Sequence, residues 1–158
     1  RSAEKNVGIL CELAQRFEIP VVVSEQYPKG LGPMTPAVRE AVTPLGELVR
    51  RIEKVEFSVC DHQHFAEVWN SLDRKQWIVA GIETHVCVFQ TVRDLVALGA
   101  DVHVLKDAVV SRTQANWQVG LDMMQELGTC ITSTEVVVFD LLRKAGGDHF
   151  KALSKAIR

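Results

Sequence analysis

The sequence predicts an α/β fold, a parallel sheet covered by helices on both faces. Three observations carry that prediction. Apolar runs rich in β-branched residues alternate with stretches of helical periodicity through the chain. Strands separated by helices pair in parallel, because each crossover helix packs back onto the sheet. The length of 158 residues suits one domain, residues 1–158, with a sizeable core.

The elements follow in order. Residues 4–17 are helical, with Val7, Leu10, Cys11, Ala14 and Phe17 on one face. Residues 19–24 read as a buried strand. A Pro/Gly-rich loop runs over 27–36 through Pro28, Gly30, Gly32 and Pro33. Residues 50–54 form a short, charged strand, and 61–72 a helix. A strand at 76–80 leads to a helix over 84–98 that stops at Gly99. Residues 102–105 are a strand, followed by a polar loop and a helix over 116–127. A short strand at 129–132 precedes a helix reaching Lys144, capped by Thr132 or Ser133. With Thr132 as the cap, Glu135 is placed for a capping box. A final amphipathic helix spans 148–157. No internal repeat, low-complexity tract or linker interrupts the series.

The most informative stretch is Gly81-Ile82-Glu83-Thr84-His85-Val86-Cys87-Val88. Thr84 is a natural N-cap, which puts Cys87 at the third helical position. A thiol there faces unpaired backbone N–H groups and the positive end of the helix dipole, both of which favour the thiolate nucleophile. It also lies just beyond the carboxyl end of a strand, where open α/β sheets bind ligands. The competing reading is a small buried residue on a core-facing helix.

Composition excludes several classes. Hydrophobic residues make up 47% and charged residues 24%, the balance of a globular protein. A net charge of −2 without a Lys/Arg stripe argues against nucleic acid as a partner. The apolar runs are too short to span a bilayer, so no membrane partner is expected. Cys11, Cys60, Cys87 and Cys130 form no C-x-x-C pair and no zinc-like spacing, which suits reduced thiols in the cytoplasm.

The stretch from Gly81 to Val88 resembles the cysteine signature of the isochorismatase-like hydrolases. Lys54-Val55-Glu56-Phe57-Ser58 resembles the family's lysine segment, K-x-x-F-S. Glu25-Gln26-Tyr27-Pro28-Lys29-Gly30-Leu31-Gly32 is similar to a loop of the isochorismatase domain-containing subgroup. Asp107-Ala108, Ser111-Arg112 and Thr132-Ser133-Thr134-Glu135 continue that pattern, so the resemblance covers nearly the whole chain in order.

The resemblance implies a three-layer α/β/α, Rossmann-like fold with a mostly parallel six-stranded sheet. It implies hydrolysis of a small amide through an Asp-Lys-Cys triad, with Cys87 matching the nucleophile and Lys54 the lysine. An ammonium beside the thiol would reinforce the thiolate. The family's oxyanion donors match the backbone amides of Glu83 and Cys87, and its non-proline cis peptide falls at Ile82–Glu83. Glu25, Tyr27, Thr84 and His85 are further candidates for lining the substrate site.

Two departures stand out. The family's aspartate ends a first, central strand, whereas this sequence opens already entering its first helix. The expectation is therefore a chain N-terminally incomplete, lacking that strand and its Asp; a rearranged fold is the alternative. The nicotinamidase branch binds a divalent ion through an Asp/His cluster after its second strand, but Glu25-Gln26-Tyr27-Pro28 contains no histidine. Asp61-His62-Gln63-His64 is a poor substitute, since His62 and His64 would point in different directions on a helix. No metal and no cofactor is expected.

His85 either lines the pocket or hydrogen-bonds locally. His103 reads as a satisfied or interfacial strand residue, and His149 as part of a helix start. Trp69, Trp77 and Trp117 suit core or oligomer contacts, and Cys11, Cys60 and Cys130 suit apolar faces. Tyr27 and its loop either cover the site or cross the surface. The leading expectation is a cysteine-dependent amidohydrolase of a small molecule, acting as a homo-oligomer. The alternatives are a catalytically silent interaction module and a nucleotide-binding flavodoxin-like protein. The last lacks any G-x-G-x-x-G or P-loop.

Overall fold

The computed structural model describes residues 2–158. Helix α1 (Ala3–Arg16) opens on Ser2, whose hydroxyl accepts from the Lys5 amide, and carries Glu4 and Arg16 where the helix dipole favours them. Strand β1 (Val21–Gln26) is followed by the short helices α2 (Pro28–Leu31) and α3 (Pro36–Val42) and a 3-10 stretch, Thr43–Leu48. Then come β2 (Val49–Lys54), a 3-10 turn (Val59–Asp61), α4 (Phe65–Leu72) and β3 (Gln76–Ile82). A π turn (Thr84–Val88) leads into α5 (Phe89–Ala97), followed by β4 (Asp101–Val110) and α6 (Gln114–Glu126). Strand β5 (Cys130–Thr132), α7 (Thr134–Leu142) and α8 (Gly147–Ile157) complete the chain.

Every strand pairing is parallel, as the crossover helices require. The five strands among the described residues form two ladders, β1-β2 and β3-β4-β5. No described segment is hydrogen-bonded between β1 and β3, so the ladders stay separate.

Packing binds the halves together. On one face, Ile52 of β2 shares a cluster with Val88, Val92 and Leu95 near α5, with Val102 and Val104 of β4, and with Leu121 and Met124 of α6. On the other face, α1 turns Ile9 and Leu13 toward Leu105, Ala108, Val138 and Leu153. The same helix turns Cys11 and Ala14 toward Val42 and Leu45. Strand β4 thus buries alternate residues on opposite faces, the signature of a layer covered on both sides.

Several boundaries move for identifiable reasons. The polar Lys106-Asp107 stretch is a bulge rather than a loop: pairing shifts from Val79↔Val104 to Gly81↔Val109 and continues to Ile82↔Val110. Gly81 takes a φ of +131°, open to glycine but not to residues bearing a Cβ. Helix 61–72 begins only at Phe65, because extended backbone at His62 ends the 3-10 turn that the Ser58 hydroxyl caps at Cys60. Ser133, not Thr132, caps α7, its hydroxyl accepting from Val136. The segment 36–42, read as no element in the sequence, is helical because Thr35 caps at Val38 and Pro36 supplies the first helical position.

Candidate active site

The carboxyl ends of β1, β2 and β3 converge on a small polar cluster. Gln26 and Lys54 end neighbouring strands as register partners. Their side chains therefore project on the same side of the ladder. Lys54 is only 5% exposed. Its Nζ donates to Gln26 Oε1 and, at 2.9 Å each, to the carbonyls of Glu56 and Phe57, so all three protons are used. Burial pulls its pKa below the ordinary lysine value, opposed by the neighbouring Cys87 and Glu56.

Cys87 is half-buried and reaches the same cluster, its Sγ lying 3.8 Å from Gln26 Oε1. One amide oxygen therefore bridges the thiol and the ammonium. Gln26 Nε2 donates to the Val55 carbonyl at 2.7 Å, which fixes the orientation of the amide. Gln26 was missed in the sequence, because only the β1–β2 register sets it beside Lys54. Its neighbour Glu25 faces away: its carboxylate accepts from the Met34 amide at 2.8 Å and lies 3.9 Å from Arg51 Nη1.

The turn bearing Cys87 differs from the expected α-helical start. Glu83, not Thr84, is the N-cap, and its carbonyl accepts from the Val86 and Val88 amides in a widened π turn. Cys87 is thus the fourth residue of that turn. Thr84 is fully buried, and its hydroxyl makes no hydrogen bond among the described residues. The Ile82–Glu83 peptide is cis. Tyr27, half-exposed, begins α2, and its amide donates to the Lys54 carbonyl at 2.7 Å.

Residues of the loop after β4 grip this turn. The Glu83 carboxylate accepts from the Arg112 amide (3.0 Å), Nε (3.1 Å) and Nη2 (2.8 Å). The guanidinium beside it holds the Glu83 pKa at about 2. His85 Nδ1 lies 3.0 Å from Oγ of Ser111, a residue of the loop after β4.

The other candidates lie apart. All four cysteines are free. Burial raises Cys60 to about 11 and also raises Cys11. His62 Nδ1 accepts from the His64 amide, and His64 lies 3.9 Å from Glu67. His149 packs on Phe17. Trp69 stacks on Trp77 at 5.4 Å, and both join the central core. No group of three or more His, Cys, Asp or Glu side chains suited to a metal ion occurs among the described residues. No helix there is long and apolar enough to cross a membrane.

Comparison with known proteins identifies the family. Residues 2–136 match the Isochorismatase domain. The secreted isochorismatase effector Isc1 of Phytophthora sojae is 36% identical over 146 residues, covering 92% of this chain and 69% of that protein. Isochorismatase domain-containing protein 2 of Xenopus laevis is 33% identical over 148 residues, covering 94% and 69%. The solved structure of MAR1 ribonuclease from Caenorhabditis elegans superposes with a TM-score of 0.88 at 32% identity, covering 98% of this chain and 78% of that one. With the domain matched over most of its length and relatives above 30% identity, the chain belongs to the isochorismatase family, whose fold is that of a hydrolase.

Proposed function

We propose that this protein is a cysteine-dependent hydrolase that cleaves an amide C–N bond of a small molecule, with Cys87 as nucleophile. The carrying observation is the convergence of Cys87 Sγ and the buried Lys54 Nζ on one oxygen, Gln26 Oε1. In this reading the thiol gives its proton to a carboxylate and its sulfur bonds to the carbonyl carbon. The carbonyl π pair moves onto oxygen, where the backbone N–H groups of Glu83 and Cys87 stabilise the charge. Collapse breaks the C–N bond, the carboxylate returns the proton to the departing amine, and a thioester remains. Water then attacks that thioester, releasing the acid and restoring the thiol. Lys54 contributes a fixed positive charge beside the reacting sulfur.

The carboxylate in this reading is the aspartate of an Asp-Lys-Cys triad. No carboxylate hydrogen-bonds to Lys54 or Cys87 among the described residues. Thr84, His85 and Tyr27 border the substrate. Glu25 instead anchors the Tyr27 loop through Met34. Four free thiols suit a reducing, cytoplasmic setting. Exposed Val119, Met123, Val136 and Phe139 offer apolar surface for homo-oligomerisation. The lack of a carboxylate hydrogen-bonded to Lys54 or Cys87 among the described residues favours a second reading, a catalytically silent member that serves as an interaction module.

Brief alkylation with iodoacetamide near pH 6, followed by peptide mapping, tests the assignment. Labelling of Cys87 at least on the order of tenfold faster than Cys60 is expected, because burial holds the Cys60 proton. Loss of all turnover of small amides in Cys87→Ser is the accompanying expectation. Equal, slow labelling of the four cysteines would favour the silent module.

A further inference from the structure

We propose that Arg112, Ser111 and Gly120 form a three-point seat that holds the turn 83–88 in register, making Arg112 a positioning residue for Cys87. The inference rests on the reading of Cys87 as nucleophile. Three consecutive residues of the turn, Glu83, Thr84 and His85, are each met by a segment of residues 111–120 that follows β4. Arg112 donates to the Glu83 carboxylate from its backbone amide and from two guanidinium nitrogens, a grip that sets angle as well as distance. The side chains are 72% and 24% exposed. Three donors converging on one carboxylate place the turn as well as stabilise it. Because the Glu83 carbonyl carries the amides of Val86 and Val88, rotation at Glu83 would carry the whole π turn with it.

Gly120 supplies an independent argument. It lies inside α6, where glycine weakens a helix relative to alanine, and its φ is not in the region that demands glycine. What it permits is contact between backbones. A Cβ there would come within 2.9 Å of the Thr84 carbonyl carbon and 3.0 Å of His85 N and Cα. Helix α6 is itself tied to β4 through Trp117 Nε1, which donates to the Val109 carbonyl at 3.1 Å. The third contact, between Ser111 Oγ and His85 Nδ1, closes the seat on the side of the active-site cluster. A bidentate fork, a close backbone approach and a side-chain hydrogen bond thus act on adjacent residues of the turn that presents the thiol.

The test uses the full chain, with iodoacetamide as probe, and reads the labelling rates of Cys87 and Cys60 in the same sample beside a thermal melt. Arg112→Ala should slow Cys87 on the order of tenfold while leaving Cys60 unchanged, since misplacing a reactive group by about an ångström costs that much or more. Arg112→Lys should recover only part of the rate, because an ammonium cannot reproduce the fork. Gly120→Ala changes no charge and should slow Cys87 as well. Should Gly120→Ala fail to fold, the Arg112 pair decides alone. The seat is overturned if Arg112→Ala leaves Cys87 within twofold of wild type, if Arg112→Lys restores the full rate, or if every cysteine speeds up together. A wild-type Cys87 no faster than Cys60 is a different result: it defeats the nucleophile reading, and the seat's role with it.

Discussion

At the scale of single residues, Lys54 shows how burial and hydrogen bonding set a chemical role. Three acceptors take its protons, while loss of water pulls its pKa down. Its folded-state value therefore lies below that of the unfolded chain. Between the two, the unfolded chain holds the proton, so stability rises with pH through the window that ends near 10.5. Replacing Lys54 by Met should remove that rise, visible as a flatter dependence of urea midpoint on pH than in wild type. The same variant should label Cys87 on the order of tenfold more slowly at neutral pH, because an adjacent positive charge favours thiolate. Unchanged labelling would mean that Lys54 serves packing alone. The sequence singled out Cys87 and Lys54 through residue type and motif. It passed over Gln26, because a neutral amide has no chemical signature until the β1–β2 register sets it beside Lys54.

At the scale of elements, the turn after β3 and the loop after β4 behave as one unit through Glu83 and Arg112. Glu83 titrates at about 2 when folded, against 4.5 ordinarily. The depressed value means that its contribution is complete above about pH 4.5 and disappears as pH falls toward 2. Glu83→Gln lacks this titration, so the stability gap between wild type and variant should narrow across that window in acid denaturation followed by circular dichroism. A gap constant from pH 6 to 2 would contradict the pairing. The N-cap at Glu83 instead of Thr84 has the same origin. Thr84 is the better capping residue locally, but in the fold it is fully buried and its hydroxyl accepts no amide of the turn. A local propensity yields to tertiary contacts that no single-segment pattern contains.

At the scale of the whole molecule, α1 is the element that both halves share. Its Ile9 and Leu13 face the β3-β4-β5 side, and Cys11 and Ala14 face the helices beside β1-β2. Leu13 is 2% exposed. Leu13→Ala should cost about 2–5 kcal/mol, from lost burial and the cavity left behind. Trp69, Trp77 and Trp117 all pack against the central core on the opposite face. Their fluorescence should nevertheless shift in the same transition as the circular dichroism signal, if α1 couples the two ladders. Two separate transitions would show that the ladders unfold independently.

The sequence by itself determined the alternation of strands and helices, the parallel pairing, and the thiol as a chemical candidate, because hydrophobic periodicity and residue chemistry are local properties; Lys54 entered through the resemblance of its segment to the family's. The described strands form two ladders, with none of them joining β1 to β3. Only the tertiary structure decided that Gln26 bridges Cys87 and Lys54, that Arg112 seizes Glu83, and that Gly120 lies against the nucleophile turn. Those contacts join residues 28 to 61 positions apart, or set two backbones together. Strand register and helix packing place them, and neither is written in the pattern of any one segment.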